Sequence, residues 1–188
     1  YAGNTFRFWK SRDIPGVIKT GNFSQDYRCR WYVNFVVEVP DESPTTGNKQ
    51  IGIDLGLKTL ATCSDGRKIE APRWYRNQQR RIAEHQRKKR SRQARNLQAK
   101  IANRRKDFLH KESDRLTKEC ELIVVGDVSS AKLTKTNLAK SVNDAGWATF
   151  KHLLEYKAIA RKVVYREVSE RFSTQTCSGC GAIGGPKG

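Results

Sequence analysis

A single carboxylate between two glycines, in the stretch IGIDLG that begins at Ile51, constrains the fold of this chain more than any other feature. Ile51 and Ile53 are β-branched and alternate with smaller or polar residues, which predicts a strand. The opposite face of that strand then carries Gly52, Asp54 and Gly56. Such a face adds little to an apolar core, but it leaves room for a metal ion and lets a phosphate backbone approach closely. An aspartate at a strand end, in an ordinary turn, is the simpler interpretation of these residues alone.

The residues that follow count against that simpler interpretation. Residues 59–64 and 67–71 predict two further strands, and the Asp65-Gly66 pair between them predicts a tight hairpin turn. Three antiparallel strands therefore precede a long helical stretch, and the acidic residue lies in the first of them.

This order of elements resembles the beginning of an RNase H-like (RuvC-type) nuclease core. The wording GIDLGLKTLAT closely resembles the first RuvC motif of the transposon-encoded TnpB (OrfB) family, which is related to the compact type V CRISPR effectors. The resemblance covers residues 5–188 and is most specific at 48–72, 122–147 and 172–181.

The resemblance implies an α/β (α+β) fold with three parts. Residues 1–47 are expected to be part of a β-barrel similar to the family's wedge domain, which grips guide RNA and flanking DNA. Residues 48–172 would form the RNase H-like RuvC core, and residues 173–188 the first half of a truncated zinc ribbon. The linker PDESPTTGNK, rich in turn-forming residues, marks the first boundary.

The composition predicts a polyanionic partner. A net charge of +18 over 188 residues exceeds what solubility requires, although a merely basic protein is the alternative. No apolar run approaches the roughly 18 residues of a membrane span, so we expect a soluble globular chain. The five cysteines are an odd number and include one C-x-x-C, which favours a reducing, intracellular compartment. Under the resemblance this compartment is the cytoplasm of a prokaryotic cell.

Two alternating stretches, TFRFW and RWYVNFVVEV, are expected to be strands of the N-terminal barrel, separated by the turn-rich GNFSQDYRC. The barrel surface would be basic and aromatic, a combination compatible with binding nucleic-acid backbone and unstacked bases. Aromatic side chains that simply fill the barrel core are the alternative. The residues in question are Arg7, Trp9, Lys10, Arg28, Arg30 and Tyr32.

Most of the positive charge lies in one helical run. Residues 73–118 contain 17 Lys or Arg against 4 Asp or Glu, and neither Pro nor Gly interrupts them. A solvated helix normally mixes charges of both signs, so we predict a helix or helical hairpin that follows phosphates. Two more lysines lie in a later loop that could equally be a solvated linker. The predicted contacts are Arg76, Arg80, Arg81, Arg87, Lys88, Lys89, Arg90, Arg92, Arg95, Arg104, Arg105, Lys132 and Lys135.

Residues 122–125 form an apolar run that predicts a fourth strand beside the Asp54 strand. The TnpB family usually has a glutamate, the second metal ligand, where this chain has Gly126. We rank Glu167, in a predicted fifth strand at 162–169, first as a replacement that enters the space beside Gly126. Glu170 ranks second and Asp127 third, because strand parity points Asp127 to the other face.

Cys177 and Cys180, followed by Gly181, form half of a zinc knuckle. A closed site needs four ligands, and a second C-x-x-C does not follow. We expect Cys29, Cys63 and Cys120 to be buried free thiols, because they lack ligand spacing.

The resemblance implies an RNA-guided DNA endonuclease whose partners are a guide RNA and a target DNA. Its chemistry would be two-metal, Mg²⁺-dependent phosphodiester hydrolysis. Asp54 would be the bridging ligand, Glu167 the second, and an aspartate outside this sequence the third. Because the chain lacks methionine even at position 1, we expect it to be a piece of a longer protein and incomplete as an enzyme.

Two other functions remain open from the sequence. Gly126 and the missing last aspartate favour a nuclease-dead, RNA-guided DNA-binding protein such as a repressor, whereas the intact Asp54 motif opposes it. A zinc-ribbon accessory protein without catalysis is the third possibility. Without the resemblance, the residues support only a basic, RNase H-like nucleic-acid binder.

Overall fold

A computed structural model describes most of the chain and supplies the architecture. It covers residues 5–40, 46–70, 72–127 and 145–169, together with 3, 43–44, 176, 179–180 and 182–184. The elements are, in order, β1 Val17–Gln25, β2 Trp31–Glu38, β3 Lys49–Leu55, β4 Thr59–Cys63, β5 Lys68–Glu70, α1 Trp74–Arg87, α2 Ser91–Glu119, β6 Cys120–Asp127, α3 Trp147–Ala160 and β7 Val164–Ser169.

Strands β3 to β7 form one mixed sheet in the spatial order β5-β4-β3-β6-β7. Within this sheet β4 pairs antiparallel with both β3 and β5, whereas β6 pairs parallel with β3, and β7 pairs parallel with β6. The strand order predicted from the sequence is therefore confirmed, including the position of the fourth strand beside the Asp54 strand.

The N-terminal region differs from the prediction. Within the described residues, β1 and β2 form a separate two-stranded antiparallel sheet, and no barrel is present. Residues 5–9 are not a strand, while β1 runs through Gly21 to Gln25, which the sequence had suggested was a turn. The polar residues of β1 are accommodated by cross-strand bonding, because the Asn34 side-chain amide donates hydrogen bonds to Asn22 and Ser24, each at 2.9 Å.

One face of the five-stranded sheet packs against α2 and α3. Alternate residues of the two central strands point to this face, and the helices cover them with apolar side chains at helical spacing. Burial of this face is the main source of stability for the fold. The largest contributors include Ile51, Ile53, Leu55, Ile123, Val125, Leu109, Leu116, Phe150 and Leu154.

Helices α1 and α2 form a hairpin. The connection is short, with Lys89 in the left-handed region at φ 52°, and it folds α1 back along α2. Trp74 at the start of α1 accordingly packs edge-on against Phe108 in the middle of α2, with ring centroids 5.4 Å apart. Neither these helices nor α3 is long and apolar enough to cross a membrane, and this holds for every helix within the described ranges.

A polar interface joins α2 to α3 beside the apolar core. Ser113 and Thr117 are fully buried on α2, and cations at the C-terminal end of α3 and just after it approach them. The Lys157 ammonium donates to the Ser113 hydroxyl at 2.9 Å, and the Arg161 guanidinium donates to Thr117 and, at 2.7 Å, to the Asp114 carboxylate. These bonds satisfy polar groups that would otherwise be costly to bury.

The pKa of the Asp114 carboxylate is lowered at this interface. Its hydrogen bonds to Lys118 and then to Arg161 lower its pKa from 3.8 to about 2, although desolvation opposes the shift. Because the folded pKa lies below the unfolded one, the stabilisation is complete above about pH 4 and disappears as the pH falls through 2.

We therefore expect Asp114→Asn to lower the free energy of unfolding by about 1 kcal/mol at pH 7, since the carboxylate is partly exposed and screened. Urea unfolding of the parent and the variant between pH 7 and pH 2 should show the difference shrinking to nothing at the acid end. Asp107→Asn is the control on the same helix. Asp107 pairs with Lys111 at the surface, so its loss should cost less than about 0.5 kcal/mol. Equal costs at both positions would contradict the assignment.

Candidate functional site

Asp54 lies on the open face of the sheet, next to the end of β3. Its neighbours Ile53 and Leu55 are buried in the core, so the alternation of the strand directs the Asp54 carboxylate to the other side, where it is exposed. Within the described part of the chain it forms no hydrogen bond and no ion pair. The carboxylate is therefore available to a ligand.

The residues around Asp54 on this face are small. Thr62 on β4 lies opposite Asp54 in the antiparallel pair, and the Ser64 hydroxyl accepts a hydrogen bond from the Gly52 backbone N–H at 3.0 Å. A Cβ on Gly52 would meet no atom closer than the Ser64 Cβ at 3.7 Å. The predicted open face with Asp54 near Gly52 is thus present.

Gly126 lies beside Asp54 on the neighbouring strand. Strands β3 and β6 run parallel, with Ile53 paired to Val125, so the next residues along the two strands are Asp54 and Gly126. In parallel strands such neighbours point to the same face, about 4.8 Å apart. The position from which the family's glutamate would reach the Asp54 side is therefore occupied by a residue without a side chain.

The turn after Asp54 is held at Gly56. The Gly56 N–H donates to the Leu60 carbonyl at 3.1 Å, and the Gly56 carbonyl accepts a hydrogen bond from the Trp147 indole N–H at 3.2 Å. A Cβ at Gly56 would lie only 2.8 Å from the Thr59 carbonyl oxygen, so the turn requires glycine there. Trp147 itself is a core residue at 3% exposure.

Glu167 does not reach the space beside Gly126, and that part of the prediction is wrong. In the parallel pairing of β6 with β7, Glu167 lies beside Val125 and Val168 lies beside Gly126. Val125 points into the core, so Glu167 points to the helix side of the sheet, opposite Asp54. The prediction fixed which β7 residues share a face, but a shift of one residue between strands decides which face that is.

Glu167 is instead part of an ion-pair cluster with α3. The Lys151 ammonium donates to Glu167 at 2.6 Å and to Asp127 at 3.1 Å, and the Tyr165 hydroxyl donates to the second Glu167 oxygen at 2.8 Å. Asp127 faces away from the Gly126 side, as strand parity predicted. Glu170, the other proposed replacement, lies outside the described residues.

Burial and charge shift the pKa values in this cluster. Desolvation lowers the pKa of Lys151, but its hydrogen bonds to Glu167 and Asp127 outweigh that effect and raise it. Burial and the bond to Glu167 raise the pKa of Tyr165 well above its usual range. Sequence reasoning missed Lys151. The available signal was its position four residues after Trp147 and three before Leu154, which places a lysine on the buried stripe of the helix.

The described residues do not form a complete metal site. Within those ranges, no three side chains of His, Cys, Asp or Glu converge on a possible ion position. A single carboxylate such as Asp54 is compatible with Mg²⁺, which often takes one or two carboxylates and completes its shell with water and phosphate oxygens.

The cysteines divide into two groups. Cys63 and Cys120 are buried free thiols whose pKa values are raised by desolvation, which confirms their predicted burial, but Cys29 is exposed in the turn between β1 and β2. Cys180 is exposed in a turn bracketed by an antiparallel bridge between Thr176 and Ile183. Its predicted partner Cys177 lies outside the described residues.

The helical hairpin presents cations that few acids neutralise. Glu84 on α1 pairs with Lys88 just after that helix, and the acids of α2 pair with cations in its C-terminal half. Arg95 is occupied differently, because its guanidinium donates to the Tyr27 carbonyl at 3.1 Å. Lys132 and Lys135 lie outside the described residues. The exposed predicted contacts are Arg76, Arg80, Arg81, Arg87, Lys88, Lys89, Arg90, Arg92, Arg95 and Arg104, while Arg105 is half-buried.

The strand with Asp54 and the basic hairpin both lie in a region that matches the model of a known sequence family. The model of OrfB_IS605, described as a probable transposase, matches residues 34–137, which is more than half of the chain. The chain belongs to the OrfB_IS605 family. A second model, described as the Cas12f1-like TNB domain, matches residues 147–187 of this OrfB_IS605 chain and so includes α3 and β7.

Two curated relatives are named as RNA-guided DNA endonucleases. One, from Streptomyces pristinaespiralis, is 33% identical over 194 aligned residues, which cover 93% of this chain and 48% of the relative. The other, InsQ from Escherichia coli K12, is 28% identical over 205 aligned residues, which cover 93% of this chain and 50% of the relative. The chain spans about half the length of the curated relatives it matches.

A solved structure shares the fold. It is the cryo-EM structure of a Cas12f1-sgRNA-target DNA complex, which matches with a TM-score of 0.50 and 17% identity over 84% of this chain and 44% of the other. At that identity the match shows a common mixed α/β fold.

The cluster around Glu167 generates a spectroscopic prediction. Glu167→Gln removes the charge that disfavours the Tyr165 phenolate, so the pKa of Tyr165 should fall. An alkaline titration followed by tyrosinate absorbance near 295 nm would record an additional tyrosine ionising at lower pH than in the parent. The matched control is Asp127→Asn, because Asp127 affects Tyr165 only through space and should shift its titration less. Unchanged titration in Glu167→Gln would show that the phenol and the carboxylate are not bonded in solution.

Proposed function

We propose that the protein to which this chain belongs is an RNA-guided DNA endonuclease of the TnpB type, and that strands β3 to β7 with α2 and α3 form its RNase H-like RuvC core. The observation that carries the proposal is the exposed Asp54 carboxylate on the open face of a sheet with the order β5-β4-β3-β6-β7. The names of the two relatives supply the reaction class.

Asp54 would hold a divalent metal ion, which we take to be Mg²⁺. A bound ion of this kind supplies an activated water and stabilises the leaving oxygen in phosphodiester hydrolysis. The chain contributes an exposed carboxylate that pairs with no cation among the described residues, and Gly52, where an added Cβ would meet nothing closer than 3.7 Å, lets a phosphate backbone approach. Glu167 and Asp127 are already neutralised by Lys151, so we assign them no metal. Further carboxylates would come from outside the described residues.

The basic hairpin would follow the phosphates of the guide RNA and target DNA. Its support is the concentration of exposed cations near the connection between α1 and α2, where acidic side chains are almost absent. Such contacts position a nucleic acid without reading its sequence, which suits a protein whose specificity comes from guide pairing.

The C-terminal cysteines would bind structural zinc in the longer protein. Cys180 lies in a turn closed by the Thr176–Ile183 bridge, which is compatible with one knuckle of a zinc ribbon. Cys177 would be the second thiolate of this half-site, and a closed tetrahedral site would need two ligands from elsewhere.

A nuclease-dead RNA-guided binder is the alternative suggested by Gly126. Both curated relatives are named as endonucleases, and they do not support it. The decisive experiment is therefore a cleavage assay on the full-length protein.

We expect Asp54→Asn in the full-length protein to abolish divalent-metal-dependent DNA cleavage while leaving guide RNA binding intact, because the exposed side chain contributes no packing. Cleavage of a guide-matched duplex over a Mg²⁺ titration measures the first effect, and RNA retention measures the second. Glu70→Gln is the control, since this exposed carboxylate lies two strands away on β5. Persistent cleavage in Asp54→Asn would remove Asp54 from the site.

The hairpin makes a quantitative prediction about salt. Replacing Arg87 and Arg90 by Gln should weaken binding to unrelated nucleic-acid sequences alike and reduce the slope of log affinity against log salt concentration by up to about 2. The matched pair is Lys111→Gln with Arg115→Gln on α2, where each cation already pairs with an acid. If both double variants change the slope equally, the hairpin tip has no special role.

A further inference from the structure

We propose that Trp147 is a positioning residue that sets the place of Asp54 through the carbonyl of Gly56. This inference rests on the proposed role of Asp54 as a metal ligand. It concerns a residue that never approaches the open face of the sheet, because Trp147 is almost entirely buried on the helix side.

Both polar groups of Gly56 are engaged, and its two partners come from different parts of the fold. Leu60, across the turn, binds the Gly56 N–H, whereas Trp147, at the first residue of α3, binds the carbonyl. Gly56 follows Asp54 by only two residues. The Trp147 hydrogen bond thus joins the start of α3 to the turn that ends the Asp54 strand.

Trp147 is itself fixed by the way α3 begins. Gly146 precedes it in the left-handed region at φ 73°, and its carbonyl accepts a hydrogen bond from the Phe150 N–H at 3.0 Å. A Cβ on Gly146 would lie 3.1 Å from the Leu109 Cδ1 and 3.2 Å from the Arg105 Cδ, so the helix start sits directly on α2. The indole therefore transmits the position of the helix layer to the turn.

The consequence for metal binding follows from geometry. Magnesium requires nearly ideal octahedral geometry, and a displacement of about 0.5 Å in a ligand is enough to weaken a site. Without the indole N–H, the Gly56 carbonyl loses its donor and the turn gains conformations. Asp54 then spends less time in the position that binds metal.

The test is Trp147→Phe in the full-length protein, which removes the N–H and keeps an aromatic ring. The Mg²⁺ concentration for half-maximal cleavage should rise about three- to tenfold, with the rate at saturating Mg²⁺ and the affinity for guide RNA little changed. In metal-free protein, hydrogen exchange in a peptide that contains the Gly56 amide should be faster. Direct Mn²⁺ binding, with Asp54→Asn as the blank, should weaken by the same factor as cleavage.

Trp74→Phe is the matched control, because Trp74 is a half-buried tryptophan packed on α2 that gives no hydrogen bond to the turn. If Trp147→Phe lowers the melting temperature of the whole protein, its effect on metal dependence cannot be assigned to the turn alone. The second variant, Gly146→Ala, then provides the test. It keeps the indole but strains the helix start, and it should shift metal dependence in the same direction.

The outcomes separate the two proposals. A parent protein that neither cleaves nor binds Mn²⁺ through Asp54 overturns the proposed function, while faster exchange at Gly56 in Trp147→Phe would still support control of the turn by Trp147. A parent that cleaves, with Trp147→Phe and Gly146→Ala matching the parent in metal dependence and exchange, overturns the positioning role.

Discussion

The parallel pairing of β3 with β6 is the contact on which the rest of the structure depends. With Ile53 beside Val125, one face of the sheet is continuous hydrocarbon that α2 and α3 can cover. The same register places Asp54 and Gly126 together on the other face. A shift by one residue would exchange the two faces, burying a carboxylate and exposing the core, so hydrophobic burial fixes the position of the acidic residue.

The positive charge of the chain is divided between two uses. The cations of α3 and of the residue that follows it form contacts inside the fold: Lys151 joins the ends of β6 and β7, and Lys157 and Arg161 bind α2. The cations near the tip of the α1–α2 hairpin have few acidic partners and remain at the surface. A net charge of +18 therefore overstates the charge that is free to meet a polyanion, and position decides which residues count.

The order and pairing of the five strands were predictable, because alternation, turn residues and apolar runs are local signals. A helix or helical hairpin over residues 73–118 was also predictable, since neither Pro nor Gly interrupts them. The side on which Glu167 lies was not predictable, because parity within β7 carries no information about its register against β6. The N-terminal barrel was inferred from two alternating stretches and from the resemblance, but alternation predicts strands and not their closure into a barrel. Strand β1 was missed because Asn22 and Ser24 resemble turn residues until Asn34 is placed opposite them. Lys151 illustrates the same limit, since its partners come from two strands distant in sequence.

The contact between the N-terminal sheet and the basic hairpin includes weak, exposed hydrogen bonds. The turn after β1 meets α2 through a reciprocal pair of exposed hydrogen bonds, in which Tyr27 donates to the Arg95 carbonyl at 3.4 Å and Arg95 donates to the Tyr27 carbonyl at 3.1 Å. Parting two such bonds costs on the order of 1 kcal/mol. That cost is small beside the burial of the apolar core, so this contact is much weaker than the packing within the five-stranded sheet. The stable unit of this chain is therefore the five-stranded sheet with its helices, and the N-terminal hairpin is attached to it at the surface.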